Sequence, residues 1–476
     1  MNAGSSSTPI IGRLERLYFP LLACVFGIFV FSGLTWLLPI YFSLGYLILG
    51  LTAVAVTRFW RDYLNPLLLI LLMGFVRFSI PGFLSLRTEP DLLIFRIMGL
   101  ERDAWILGHA LALTGLLGVV VGWLFGFQLL EVTLRRIKLL SVSYSGGVPY
   151  AAILAMLVGS LALLVFVRSH ASIGGAIFTG EIRGTEIQTG TGKFFYLSLM
   201  LIASSVIFSA YLNRRSYVWW ITFLPTAVAA SLFFTLGGRV RAFIPIAAGI
   251  LLLWYRRDEL KVSERMAFAL AVVLLPVFSY AGQLYRGGLG LEGVSEIFSM
   301  SALAEYVNFA IWTDWGQLHA LAGATAIGPG LLGGQTFSYN LLWPLSKFLD
   351  LPGKSAGVLI VQVLVGYSEK KWSFHASLIG DAYLNFGIIG VLVVTAIMGV
   401  ILKVLYASFR RGQIDGAYYS LAAIYCLRMF FESVEKFGET LVILIFAFSV
   451  IRLGETLFNI SPCKSWGQRM LKNSAG

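Results

Sequence analysis

The strongest constraint on this sequence is the recurrence of long apolar runs along almost its whole length. They lie near residues 17–38, 40–57, 64–85, 104–129, 148–167, 194–212, 217–236, 242–255, 266–283, 378–407, 417–434 and 440–457. A helix needs about 20 apolar residues to cross the hydrocarbon of a bilayer, and a backbone in lipid must satisfy its own hydrogen bonds. Each run therefore reads as a membrane helix, which gives about twelve. Strands of an outer-membrane barrel would alternate apolar and polar residues, and these runs do not. Only 13% of the 476 residues are charged, against ~25% in a soluble domain, too few to cover a water-soluble fold. Soluble enzymes, disordered tails and disulfide scaffolds are excluded. Cys24 and Cys426 sit in apolar runs and Cys463 in a basic tail, so no disulfide framework is implied. The second, eighth and tenth runs define their helices least sharply. The eighth is short unless Leu236–Arg241 belongs to it, and the tenth is long enough for its start to lie outside the membrane.

Threading twelve spans from an inner N-terminus sends twenty of the 36 Lys and Arg, but only eight of the 24 Asp and Glu, to the inner face. The whole formal charge of +12 then belongs to that face, and the outer side is neutral. This is the positive-inside bias, so the basic balance calls for membrane lipids and no nucleic-acid partner. Both termini are expected in the cytoplasm. The first run is too long for a signal-peptide core and lacks a small-residue cleavage site, so it reads as a retained helix.

The expected fold is an all-α polytopic integral membrane protein. Residues 1–283 hold helices one to nine with outer loops 86–103 and 168–193. Residues 284–377 form a large, partly helical outer loop before the tenth helix, and 378–476 hold the last three helices and a cytoplasmic basic tail. Structureless loops beyond about 15 residues are uncommon unless they do something. The large one carries Trp312, Trp315, Trp343 and Trp372, glycine pairs at Gly287–Gly288 and Gly333–Gly334, and Glu292, Glu296, Glu305, Asp314, His319, Lys347 and Lys354. Aromatic, glycine-rich surfaces with scattered acids suit sugar rings, whose faces stack and whose hydroxyls need donors and acceptors. The rival reading is a loop lying on the membrane interface, where Trp and Tyr also gather. No internal repeat stands out at any period, nor do the inverted halves with broken helices that mark secondary transporters.

Ionisable residues inside spans are costly and mark function by default. Leu236-Gly-Gly-Arg-Val-Arg241 sets Arg239 and Arg241 beside paired glycines at the outer turn between the seventh and eighth runs. Guanidinium forks match phosphate oxygens, so this turn suits a lipid pyrophosphate. Its rival reading is a tight turn whose arginines snorkel to headgroups. The stretch from His375 to Gly390 puts Asp381 and Asn385 four apart, on one helical face, with His375 at or before the helix start. His375 suits a base or a phosphate donor, against a solvated interfacial histidine, while Asp381 could instead pair with a bundle arginine. Arg428 and Glu432 are one turn apart near the outer end of the eleventh run, followed by Glu435, Lys436 and Glu439, and here a self-neutralising pair is the favoured reading. Arg77 lies inside the third run with no partner evident in the sequence. Arg183, in Gly180-Glu-Ile-Arg-Gly184, and Arg286, in Tyr285-Arg-Gly-Gly288, stand beside glycines, which let backbone approach a ligand and also mark ordinary turns.

There is no Walker loop, HExxH, Cys/His zinc spacing or Rossmann fingerprint, and His109, His170, His319 and His375 are too scattered to argue a metal site. No Asp-x-Asp cluster occupies an inner loop, which disfavours a metal-dependent nucleotide-sugar transferase there. Any chemistry belongs on the outer face, where the energy must arrive in the substrate, and neither metal nor cofactor is expected.

These residues together resemble a Wzy-type O-antigen or oligosaccharide repeat-unit polymerase of the bacterial inner membrane. The likeness rests on the layout and on three local patterns. These are Gly237-Gly-Arg239-Val-Arg241, then Gly334-Gln-Thr-Phe-Ser-Tyr339 with Trp343-Pro344 and Lys347, and last the stretch His375 to Gly390. The resemblance implies a glycosyltransferase joining undecaprenyl-diphosphate-linked oligosaccharide units at the periplasmic face, without a cofactor. It implies that Arg239 and Arg241 hold the diphosphate leaving group, and that Arg286 or Arg183 hold the second diphosphate. His375, Asp314 and Asp381 are, in that order, the candidate bases. A chain-length regulator protein is a candidate partner. The related O-antigen ligases carry a His motif before Gly-x-x-Gly; here Ala376 follows His375 and the spacing to Gly387 is one residue longer, which weakens that alternative. A lipid-linked-oligosaccharide flippase would be expected to have short outer loops, and the outer segment of more than ninety residues argues against it.

Overall fold

The computed structural model describes residues 64–79, 102–134, 147–170, 192–215, 217–235, 239–255, 318–330, 332–341, 356–365 and 376–460, with the isolated positions 263 and 266. The runs 17–38 and 40–57, nearly all of 266–283, and most of the loops 86–103 and 168–193 lie outside them. In the order of the chain the helices are α1 (Pro66–Gly74), running on into a π-turn Phe75–Ser79, α2 (Arg102–Leu134), α3 (Val148–His170), α4 (Gly192–Ser198) and α5 (Met200–Arg214). They continue with α6 (Trp219–Thr235), α7 (Arg239–Trp254), α8 (Leu318–Ile327), α9 (Gln335–Leu341), α10 (Ala356–Val365), α11 (Ser377–Arg410), α12 (Gly416–Phe431) and α13 (Phe437–Ile460). No strand occurs among the described residues.

Helices thus occupy the described parts of nine of the expected runs. Among the described residues five stretches are long and apolar enough to cross a membrane: Asp103–Leu124, Val148–Ser169, Phe194–Arg214, Ser377–Arg410 and Phe437–Thr456. The surface of α3 shows what surrounds them. Tyr150, Ile153, Leu157, Leu161 and Leu164 form an exposed stripe at helical spacing, while Ala151, Ala152, Ala155 and Phe166 are buried on the opposite face. An apolar stripe of that length is a liability in water and the expected outer surface in lipid. The chain is a multi-pass membrane protein.

The chain divides into two units, one gathering Met1–Leu130, Asn308–Lys403 and Met429–Glu435, the other Glu131–Val307, Val404–Arg428 and Lys436–Gly476. In the first, α2 and α11 meet through small residues. A Cβ on Gly122 would overlap the Ala396 carbonyl, and one on Gly399 would overlap that of Val119. This close backbone approach is how membrane helices associate when apolar burial gives no net drive. Near the start of α2, Thr325 Oγ1 of α8 donates to the Ala104 carbonyl at 2.9 Å, and Gly108 abuts Ala322. Within residues 284–377 the described parts include the helices α8, α9 and α10. The sequence did not foresee that α8 would be buried from Leu318 through Thr325.

In the second unit α3, α5, α6, α7, α12 and α13 share one core, with Leu201, Val206, Phe233, Ala248, Leu421 and Ile443 fully buried. Polar groups tie its helix ends. At one end Arg214 of α5 pairs with Asp415 at 2.7 Å, and Asp415 Oδ1 caps α12 by accepting from the Ala417 N–H at 2.8 Å. Near it Asn213 donates to the Leu252 carbonyl, and the Tyr255 and Tyr419 hydroxyls meet at 3.2 Å. The start of α7 lies a whole helix away from that end, and it carries the arginine pair.

Candidate functional site

The helix α7 begins at Arg239, so the eighth run recovers part of the Leu236–Arg241 stretch and both arginines fall in its first turn. A cation there opposes the helix's own positive N-terminal end. Two neighbours hold Arg241 in place. Its Nη2 donates to Glu439 Oε2 at 3.3 Å, and its guanidinium carbon stands 4.4 Å from the Phe195 ring centroid, a cation–π distance. Glu439 Oε1 in turn accepts from Arg428 Nη1 at 2.6 Å. Glu439 occupies the first turn of α13 and Arg428 the last turn of α12, where each helix's dipole favours that sign of charge.

Access differs across this cluster. The Arg428 side chain is 6% exposed and that of Glu439 9%, whereas Arg241 is 24% exposed. The Arg241 Nε is buried and has no hydrogen-bond partner. Arg241 is therefore part-exposed, steadied by an aromatic ring, and only loosely bonded to its carboxylate. Such a guanidinium can take a phosphate oxygen.

The first unit holds a separate polar centre. Asp381 and Asn385 lie on the opening stretch of α11, in which every residue from Leu378 through Asn385 is buried. Asp381 Oδ2 accepts the Val434 N–H at 2.9 Å, and the Ser377 N–H reaches the Glu432 carbonyl at 3.0 Å. Ser377 is the one non-glycine with positive φ among the described residues, at 60°, so this junction is backbone-strained. Asn385 Nδ2 donates to Thr336 Oγ1 and to the Asp381 carbonyl, both at 2.6 Å.

Beyond Asn385 the helix breaks. Gly387 has φ 69° and ψ −163°, a conformation open essentially to glycine alone. The last turn before a break has carbonyls to spare. Those of Tyr383 and Leu384 accept the N–H groups of Gly330 and Leu332 at 3.1 and 3.0 Å. Gly328, Gly330, Gly333 and Gly334 all have positive φ, and this glycine turn lays Phe337 5.3 Å from Phe386, ring to ring. Two of the three sequence patterns, Gly334–Tyr339 and His375–Gly390, are thus joined by hydrogen bonds. The break also explains the length of the tenth run: a buried polar stretch precedes a segment with Ile388, Ile389, Val393 and Ile397 exposed to lipid.

Of the site residues expected from sequence, Asp381 and Arg241 are placed with their side chains and Arg239 as the first residue of α7. Arg183, Arg286, Asp314 and His375 lie outside the described residues. Arg77 stands over the Phe431 ring at 5.1 Å. The carboxylate gripped by Arg428 at 2.6 Å is Glu439, eleven positions on, which the sequence marked only as a follower of the Arg428–Glu432 spacing. An acid in the first turn of a membrane helix was the available signal for it. Among the described residues no group of three or more His, Cys, Asp or Glu could hold a metal ion.

No curated protein and no solved structure matches this chain. Residues 330–453, which include Thr336, Asp381, Asn385, Arg428 and Glu439, match the family described as "Putative O-antigen polymerase".

Proposed function

We propose that the chain is a membrane glycosyltransferase that polymerises undecaprenyl-diphosphate-linked oligosaccharide units at the periplasmic face of a bacterial inner membrane. The observation that carries this reading is Arg241, a part-exposed guanidinium in the first turn of α7, held by a loose 3.3 Å bond to Glu439, which Arg428 grips at 2.6 Å. The O-antigen polymerase match over residues 330–453 supports a role in polysaccharide synthesis and includes two members of that cluster.

In this reading the acceptor sugar's hydroxyl oxygen attacks the anomeric carbon of the growing chain. The bond from that carbon to the lipid diphosphate breaks, and the diphosphate leaves with the electron pair. Arg241, with Arg239, neutralises the charge that develops on the leaving oxygens, where preorganised donors contribute most to rate. Arg286 or Arg183 would hold the second lipid diphosphate. His375 or Asp314 would take the hydroxyl proton. Asp381, with an oxygen on the Val434 amide, fits better as part of the frame.

The test is the surface polysaccharide of a deletion strain, complemented with wild type or with Arg239→Ala/Arg241→Ala. The expected result is loss of the long ladder with a single-unit band retained, restored by wild type and not by the double variant at equal expression. Polymer still made on its carrier but absent from the lipid core would point to a ligase. An unchanged ladder would overturn both and favour a transporter.

A further inference from the structure

The proposed diphosphate site already contains an anion. Glu439 is shared unequally: 2.6 Å to Arg428 Nη1 and 3.3 Å to Arg241 Nη2. Charge-assisted N–H···O bonds usually run about 2.7–2.9 Å, so Arg428 holds the carboxylate firmly and Arg241 only loosely. Arg241 is also the more exposed partner, stacked on Phe195, and its buried Nε has no acceptor. A buried donor left unmade is expensive. The weaker bond and the greater exposure therefore fall on the same guanidinium.

We propose that Glu439 is an exchangeable counter-ion. It sits on Arg241 in the empty protein, cedes that place to a phosphate of the lipid-linked substrate while remaining on Arg428, and returns as the diphosphate departs. This rests on the reading of Arg241 as a diphosphate ligand. Glu439 touches neither the sugar nor the breaking bond, so it is a positioning residue.

The exchange solves a release problem set by the chemistry. In the donor the diphosphate is esterified at both ends. After transfer it is esterified only to the lipid and gains an ionisable oxygen. The product thus binds arginines more tightly than the substrate did, and an enzyme gains nothing in turnover from holding its product. A resident carboxylate competing for Arg241 weakens both complexes and speeds the departure of the product.

The test uses the full-length protein in detergent, with farnesyl diphosphate as a short lipid-diphosphate probe followed by calorimetry, beside turnover of lipid-linked units. Glu439→Gln removes the charge and keeps an acceptor for Arg428. Its Kd for the probe is expected to fall about tenfold, a shift of roughly 1.4 kcal/mol, with KM and kcat both falling. Arg428→Lys weakens the short bond and lets Glu439 settle on Arg241, so its Kd is expected to rise. Opposite signs are the signature of exchange. A purely structural ion network would weaken binding and lower the melting temperature in both variants, and that result overturns the proposal. Should Glu439→Gln not fold, Glu439→Asp replaces it. One methylene shorter, Asp cannot span both arginines, so tighter probe binding is expected and weaker binding overturns the exchange. Wild type that binds the probe, with binding lost in Arg241→Ala yet no tighter in Glu439→Gln, would sink the exchange alone. Wild type that does not bind the probe, with turnover unchanged in Arg241→Ala, would sink the functional reading with it.

Discussion

Arg428 and Glu439 form a 2.6 Å ion pair with both side chains almost fully buried, although eleven residues separate them. Breaking a buried pair costs about 3–5 kcal/mol when the other charge is left alone, and here Glu439 would keep only its looser contact with Arg241. Arg428→Ala is therefore expected to lower the melting temperature of the detergent-solubilised protein markedly. The double variant Arg428→Ala/Glu439→Ala should lose less than the sum of the single losses, since neither charge is left behind. Additive losses in the four-protein cycle would show that the two side chains do not depend on each other.

The seam between α2 and α11 makes a different prediction. At Gly122 even a methyl group would meet the Ala396 carbonyl, a backbone atom that cannot swing away. Gly122→Ala should force these helices apart and reduce the folded fraction, by about 1–3 kcal/mol or more as overpacking usually does. Leu157→Ala, on the exposed lipid-facing stripe of α3, should be nearly silent. Fluorescence-detected size exclusion of the two variants checks the contrast, and equal behaviour would contradict the close seam.

How far this was legible in the sequence follows from the range of the interactions. Hydropathy is local, so the helices over 148–170 and 437–460 could be placed from their own residues, and Arg239 and Arg241 stood out as cations in an apolar setting. Glu439 could not be matched to Arg241, because 198 positions separate them and only the packing of α7 against α13 brings their first turns together. Thr336 and Asn385, 49 positions apart, were likewise seen as two patterns without a link. The break at Gly387 was hidden for another reason. Glycine is common in membrane helices, and nothing in the string distinguishes one that leaves the helix from one that packs within it, such as Gly399.

Asp415 has two jobs at the opposite end of the second unit, and they should separate by mutation. Its Oδ1 caps α12 at the Ala417 N–H, and its Oδ2 pairs with Arg214. The Arg214 side chain is 51% exposed, so the ion pair is worth at most about 1 kcal/mol. The cap is worth about 1 kcal/mol by itself. Asp415→Asn, which keeps the capping oxygen, should retain most of the stability that Asp415→Ala loses. A melting temperature for Asp415→Asn as low as that for Asp415→Ala would assign the effect to charge instead.

Asp381 gives the last and sharpest distinction, because it is both a candidate base and a fixed hydrogen-bond acceptor. A base must lose its function when its carboxylate becomes an amide. An acceptor for a backbone N–H need not, since an amide oxygen accepts equally well. With Oδ2 at 2.9 Å from the Val434 nitrogen and the side chain fully buried, the acceptor role is the expected one. Asp381→Asn should therefore keep most of the polymer ladder, while Asp381→Ala, which leaves the Val434 N–H buried without an acceptor at about 1–3 kcal/mol, should lose expression and ladder together. Gly387→Ala should resemble the alanine variant, since its backbone conformation strains any side chain by about 1–3 kcal/mol and loosens the turn that carries Gly330 and Leu332. A ladder abolished in a stably expressed Asp381→Asn would reverse the assignment and make Asp381 the base.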